Sequence, residues 1–166
     1  MQTDPSADIK ILPFAVEAAW VTGRWESLAK FTGRFQEDLA QDFNMSVACL
    51  FDSLYRHYGS DSLDKAIQGM RDRIASSMTT SATASLNSAH EILLKCHVLT
   101  DLEVIVKTKP GNENERRKTL KLLDGRLELI GGQFSDKQYL LGIRRAAMEL
   151  SRYGQRICTL LANNHC

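Results

Sequence analysis

The sequence predicts an all-α protein, an α-solenoid of antiparallel helix pairs. Three observations predict it. Apolar residues recur three and four positions apart through most of the 166 residues, which places them on single helical faces. Short turns marked by glycine separate these stretches, as at Gly23, Gly33, Gly59 and Gly131-Gly132. β-Branched runs such as Val104-Ile105-Val106 sit inside longer helical periods, so no strand is expected.

Residues 1–10 read as a frayed lead-in. Pro13 suits the first turn of a helix, where its missing N–H costs nothing. Phe14, Val16, Ala18, Ala19 and Trp20 continue that helix to Gly23, a residue able to take the left-handed backbone of a helix end. The pattern Ala19-x-x-x-Gly23, with Trp20 just inside, resembles a tetratricopeptide-type helix end. A small residue there lets helices meet, and the glycine permits the turn. The fold expected is therefore a tetratricopeptide-like α-solenoid.

A short second helix follows around Trp25, Leu28, Ala29 and Phe31, ending near Gly33. Leu39, Phe43, Val47, Leu50, Phe51 and Leu54 share one face of a third, which stops at Gly59. Ser60 or Asp61 is expected to cap the fourth, whose stripe is Leu63, Ile67, Met70 and Ile74. Residues 76–88 are rich in Ser, Thr and Ala and carry no charge; their hydroxyls compete for backbone bonds, which predicts a break. From Leu86 to about Val106 the apolar residues cover more than one face, so this helix belongs in the middle of the array. Lys109-Pro110-Gly111-Asn112 is a loop, and Leu120, Leu123, Leu127 and Ile130 mark the next helix. Ser135 and Gln138 match a capping box opening the last helix, whose stripe is Leu140, Ile143, Ala147 and Leu150.

Composition narrows the function. Twenty-one basic and twenty acidic residues leave a net charge of +1, short of the basic stripe that duplex binding requires. Arg116, Arg117, Lys118 and Lys121 read instead as solvated first turns of a helix. The start of the chain lacks the basic head and apolar run of a signal peptide, and no stretch nears the ~20 apolar residues of a bilayer span. The reading is a chain neither secreted nor embedded in a membrane. Cys49, Cys96, Cys158 and Cys166 form no CxxC pair, so buried free thiols are expected.

Candidate chemistry is sparse. His90-Glu91 begins like a zinc-protease helix, but position 94 is Leu, and His97 lies seven residues on. A metal-dependent hydrolase using His90, Glu91 and His97 would need a ligand from elsewhere. Neither GxGxxG nor GxxxxGK[ST] occurs, and Leu123-Asp124-Gly125 lacks the phenylalanine of a kinase metal-binding motif. No catalytic, cofactor or metal residue is assigned. Trp20 and Trp25 read as filling one inter-helix core, and one guanidinium of Arg144-Arg145 as pairing with a carboxylate such as Glu149, one turn on from Arg145.

Several stretches together resemble one family. Glu17-Ala18-Ala19-Trp20 followed by Gly23-Arg24-Trp25-Glu26 is similar to a repeat of the FAT domain in ATR-type phosphatidylinositol-3-kinase-related protein kinases, which serve the DNA-damage checkpoint. The likeness continues through His97-Val98-Leu99, Leu102-Glu103 and Arg144-Arg145-Ala146-Ala147. It covers residues 11–152, with 153–166 as a divergent tail. It implies a structural segment, without the kinase domain, that supports that domain and partner contacts in a nuclear serine/threonine kinase. The implied partners are adjacent repeats, the kinase domain, a regulatory subunit and homodimer contacts, with no direct nucleic acid and no membrane. Because family members run on to a C-terminal kinase domain, the expectation is a partial, truncated or mis-joined product. The alternative is a stand-alone helical adaptor that holds a partner peptide in a concave groove.

Overall fold

The computed structural model describes residues 5–33, 42–56, 59–80, 86–108, 112–131 and 133–163. Among them are seven helices and no strand: α1 Pro5–Val21, α2 Trp25–Thr32, α3 Phe43–Tyr55, α4 Ser60–Thr80, α5 Leu86–Lys107, α6 Glu113–Glu128 and α7 Phe134–Asn163. Predicted Leu39 lies outside the described residues.

The helix ends follow local chemistry. Gly23 closes α1 at φ 69°, and the Arg24 N–H reaches back to Ala19 O at 2.8 Å, a bond only a left-handed residue between them permits. Asp42 caps α3 by accepting from the Met45 N–H at 2.9 Å. Asn112 does the same for α6, taking the N–H groups of Asn114 and Glu115.

Three expectations are corrected and a fourth is narrowed. Helix α1 starts at Pro5, so half of the expected lead-in is helical; Pro5 takes the first-turn place, and Pro13 lies inside the helix. The Gly59 carbonyl opens α4 by accepting from the N–H groups of Ser62 and Leu63, leaving Asp61 in the first turn rather than at the cap. The break predicted within residues 76–88 separates α4, which ends at Thr80, from the antiparallel α5, which opens at Leu86. It leaves residues 76–80 helical, where Ser76 Oγ and Ser77 Oγ bond carbonyls of the preceding turn, of Asp72 and Ile74, without displacing the backbone ladder. Residues 81–85 lie outside the described residues. Ser135 falls inside α7, where the Lys137 N–H already bonds Gln133 O, so it does not form the predicted capping box. The backbone of α7 also continues across position 152 to Asn163.

Side-chain pairs fix the helix directions. Ser46 meets Arg73, and Glu103 meets Arg71 while Lys107 meets Asp64, so α3, α4 and α5 alternate in direction. Thr108 meets Thr119 and Asp101 meets Arg126, which makes α6 antiparallel to α5. Between α5 and α7 the partners climb together, His90 with Asp136 and Asp101 with Arg144, so these two run parallel. Helix α7 packs on α1, α3 and α5, whereas α4 packs on α3 and α5 and α6 packs on α5. As expected, α5 is thus covered from three sides. A simple open stack would leave the face shared by α1, α3 and α5 bare; here α7 lies across it.

The core is apolar and matches the predicted stripes of α4 and α7, whereas Leu120 of the α6 set and Phe14 of the α1 set are exposed. Leu63, Ile67, Met70 and Ile74 of α4 are buried, as are Leu140, Ile143, Ala147 and Leu150 of α7. Trp20 and Trp25 both set their rings against Phe51, at 5.6 and 6.3 Å between centroids, so the two indoles do fill one core. Gly142 of α7 faces the Trp20 ring with room to spare: a methyl group placed there would lie at an ordinary contact distance of 3.5 Å.

Candidate functional site

Three clusters of polar side chains join helices where they meet. The first belongs to α7. Asp101 of α5 is fully buried, and each of its oxygens is held by a different helix. Arg126 Nε of α6 donates to Oδ1 at 2.6 Å, and Arg144 Nε of α7 donates to Oδ2 at 2.7 Å. Arg144 is 4% exposed. Its Nη2 also lies 2.7 Å from Oδ2, close enough for an ion pair but outside hydrogen-bond geometry, and Nη1 has no hydrogen-bond partner among the described residues. One carboxylate therefore fastens two helices to a third. His97 joins the edge of this cluster, with Nδ1 3.2 Å from Arg126 Nη2. Burial, followed by the charge of Arg126, holds its imidazole below the ordinary pKa of 6.5.

The second cluster ties α1, α3 and α7. Asn44 Nδ2 donates to Glu17 Oε2 at 3.3 Å, and Tyr139 Oη donates to Asn44 Oδ1 at 3.0 Å. Burial first, then Glu17 and Asp42, pushes the Tyr139 phenol up, so it stays a hydrogen-bond donor at any physiological pH. The third ties α4 to α5. Glu103 takes Lys107 Nζ at 2.6 Å and Arg71 Nη2 at 2.5 Å, and these bonds hold its carboxyl below the usual value.

The residues singled out from the sequence distribute among these clusters and the core. Glu17, His97, Glu103 and Arg144 sit in the polar clusters; Ala19, Trp20, Trp25 and Leu102 are buried apolar packing; Gly23 makes the α1 turn. The expected pairing of one guanidinium with a carboxylate is made by Arg144, with Asp101 in place of Glu149, and not by Arg145. Arg145 is exposed and donates to the Val21 carbonyl near the C-terminal end of α1, where a cation meets the negative end of the helix dipole. Asp101, Arg126, Asn44 and Tyr139 were missed. Asp101 and Arg144 each occupy a position on an apolar stripe, beside Val98, Leu102 and Ile105 and beside Leu140 and Ala147. A charge at such a position signals a buried ion pair.

The hydrolase residues are separated by their partners. His90 Nε2 meets Asp136 at 2.6 Å, Glu91 meets Lys95 at 2.6 Å, and His97 meets Arg126. Among the described residues no three His, Cys, Asp or Glu side chains could share a metal ion. No described helix is long and apolar enough to cross a membrane. The expectation of buried thiols needs correction: Cys96 is exposed and Cys49 half-buried, because each lies at the margin of its helix's apolar stripe. The basic run of α6 is solvent-exposed at Arg116, Arg117, Lys118 and Lys121, as read from the sequence. The clusters engage both oxygens of Asp101 and of Glu103 with cations, so the chemistry available to them is adhesion between helices.

Comparison with known proteins gives the same picture at the level of sequence. The family described as "FAT domain" matches residues 12–162. The chain is 26% identical over 151 residues to the serine/threonine-protein kinase MEC1 of Kluyveromyces lactis, covering 87% of the chain and 6% of that kinase. It is 23% identical over 115 residues to the serine/threonine-protein kinase TOR2 of Saccharomyces cerevisiae, covering 68% of the chain and 4% of that protein. The chain thus corresponds to a small part of each relative. No solved structure matches it.

Proposed function

The chain belongs to the FAT domain family, and from that membership we propose that it is a structural segment of an ATR-like serine/threonine protein kinase of the DNA-damage and replication checkpoint. In this reading its helices form part of the scaffold that supports the kinase domain and partner contacts, and the parent protein works in the nucleus. The carrying observation is the match to MEC1 over 87% of the chain, which is longer and closer than the match to TOR2 over 68%.

The surface supports the scaffold role. At one edge α1 exposes Ile11 and Phe14, 59% and 72% accessible, and at the other Leu129 and Phe134 are 77% and 79% accessible. Large apolar residues bare at both edges suit a repeat array whose neighbours cover them. A stand-alone adaptor gripping a peptide against α1, α3 and α5 is less favoured, since α7 already covers that face.

The test is an antibody raised against this segment, applied to fractionated cells. The expected result is a band of large kinase size, enriched in nuclei, whose carrier is needed for survival of blocked replication. A product near the 18.6 kDa of this chain, or growth-control defects with normal tolerance of replication block, would overturn the proposal.

A further inference from the structure

Helix α6 is attached more lightly than its neighbours. Every other described helix packs on at least two others, whereas α6 packs substantially on α5 alone. Of its sixteen residues only Leu123 is buried. Leu127 and the following Ile130 lie half-buried beside it, while Leu120 and Leu122 are exposed and the basic run faces solvent. Gly125, with open space where a side chain would stand, weakens the helix from within. Gly131, at φ 78°, turns the chain just past its end.

Three polar contacts complete the attachment. Arg126 Nε donates to Asp101 Oδ1 at 2.6 Å, and its Nη2 donates to His97 Nδ1 at 3.2 Å. The Thr119 hydroxyl donates to Thr108 Oγ1 at 2.8 Å, since the Thr108 hydrogen already goes to Val104 O. Arg126 is partly exposed and His97 half-buried, so water can replace each of these bonds when the helices part. Asp101 divides its two oxygens in a way that permits parting. Oδ2 stays on Arg144 of α7, so the carboxylate keeps a cation and Arg144 keeps its anion when α6 leaves. An unpaired buried charge is the usual barrier to opening such a junction, and here none is created.

We propose that α6 is a strap that lifts off α5 as a unit, with Arg126 on Asp101 as its latch and Gly131 as its hinge, while the remaining described helices stay packed. Few buried apolar side chains and bonds at the solvent edge are what mark an element that opens well below the free energy of global unfolding. Raising the strap uncovers His97, Asp101 and Thr108 on one face of α5 and frees Asp101 Oδ1 and His97 Nδ1 as acceptors. The lifting follows from packing within this chain and does not rest on the scaffold reading.

The test is hydrogen exchange on the full chain, read by mass spectrometry. A sixteen-residue helix is marginal in water once it leaves its support, so lifting is seen as exchange. Amides of Arg117 to Glu128 should exchange about tenfold or more faster than those of α3 and α5. Arg126→Ala should speed them about tenfold further, the worth of a lost bond to a charged group, and leave α1 to α4 unchanged. Arg126→Lys, which keeps the cation, should speed them less. Thr108→Cys/Thr119→Cys supplies a covalent latch, because the two hydroxyl oxygens already lie 2.8 Å apart. Oxidised, with the cross-link verified by peptide mapping, it should slow α6 exchange about tenfold, and reductant should restore the rate; this arm stands even where Arg126→Ala disturbs folding. Protection of α6 equal to that of α3 and α5 would overturn the proposal. So would Arg126→Ala speeding every helix alike, or a closed cross-link that leaves α6 exchange as it was.

Discussion

Replacing Asp101 with Asn tests the buried bridge that fastens α6 and α7 to α5. The amide is nearly the same size, so packing hardly changes, but the charge is gone. Arg126 is 22% exposed on its side chain and can turn to water; Arg144, at 5%, cannot. The change therefore strands one buried guanidinium whose Nη1 already lacks a partner. Removing one member of a buried pair costs about 3–5 kcal/mol, and with only Arg144 stranded the lower end, about 3 kcal/mol, is expected. For a chain of this length each kcal/mol moves the thermal midpoint by about 2–4 °C, so circular dichroism should show a fall of about 6–12 °C. A double variant supplies the control. Asp101→Leu/Arg144→Met removes both charges and should recover most of the loss, because apolar replacement of a buried pair is often neutral. If Asp101→Asn melts within a degree of the parent, or the double replacement is worse than the single one, the buried charge is not what the bridge compensates.

Three further outcomes follow from particular contacts. Gly142→Ala should raise stability by about 0.5–1 kcal/mol in urea unfolding, since a helix-interior glycine is replaced and the added methyl meets the Trp20 ring at an ordinary 3.5 Å. The folded-state pKa of His97 is lowered, so below pH 6.5 the unfolded chain takes up a proton that the folded chain refuses; stability should fall as pH drops through that range, and NMR titration of Arg126→Ala should show the His97 pKa rising. Burial, with Asp52 adding to it, pushes the Cys49 thiol up to about 11, so at pH 8 iodoacetamide should label exposed Cys96 well before Cys49, read by peptide mass mapping.

What the sequence by itself determined is local. The seven helices, the glycine turn at Gly23 and the apolar stripes of α4 and α7 were all legible, because helical period and turn chemistry act over a few residues. Errors at Pro13, Asp61 and Ser135 came from rules that name several acceptable places for a residue, among which neighbouring hydrogen bonds decide. Tertiary structure alone decided that α7 lies over α1, α3 and α5, and that Asp101 joins Arg126 and Arg144 across 25 and 43 residues of chain. A carboxylate on a stripe announces that some cation must come to it. Which cation arrives depends on how whole helices stack, and stacking is set by the summed fit of many weak apolar contacts rather than by any spacing along the chain.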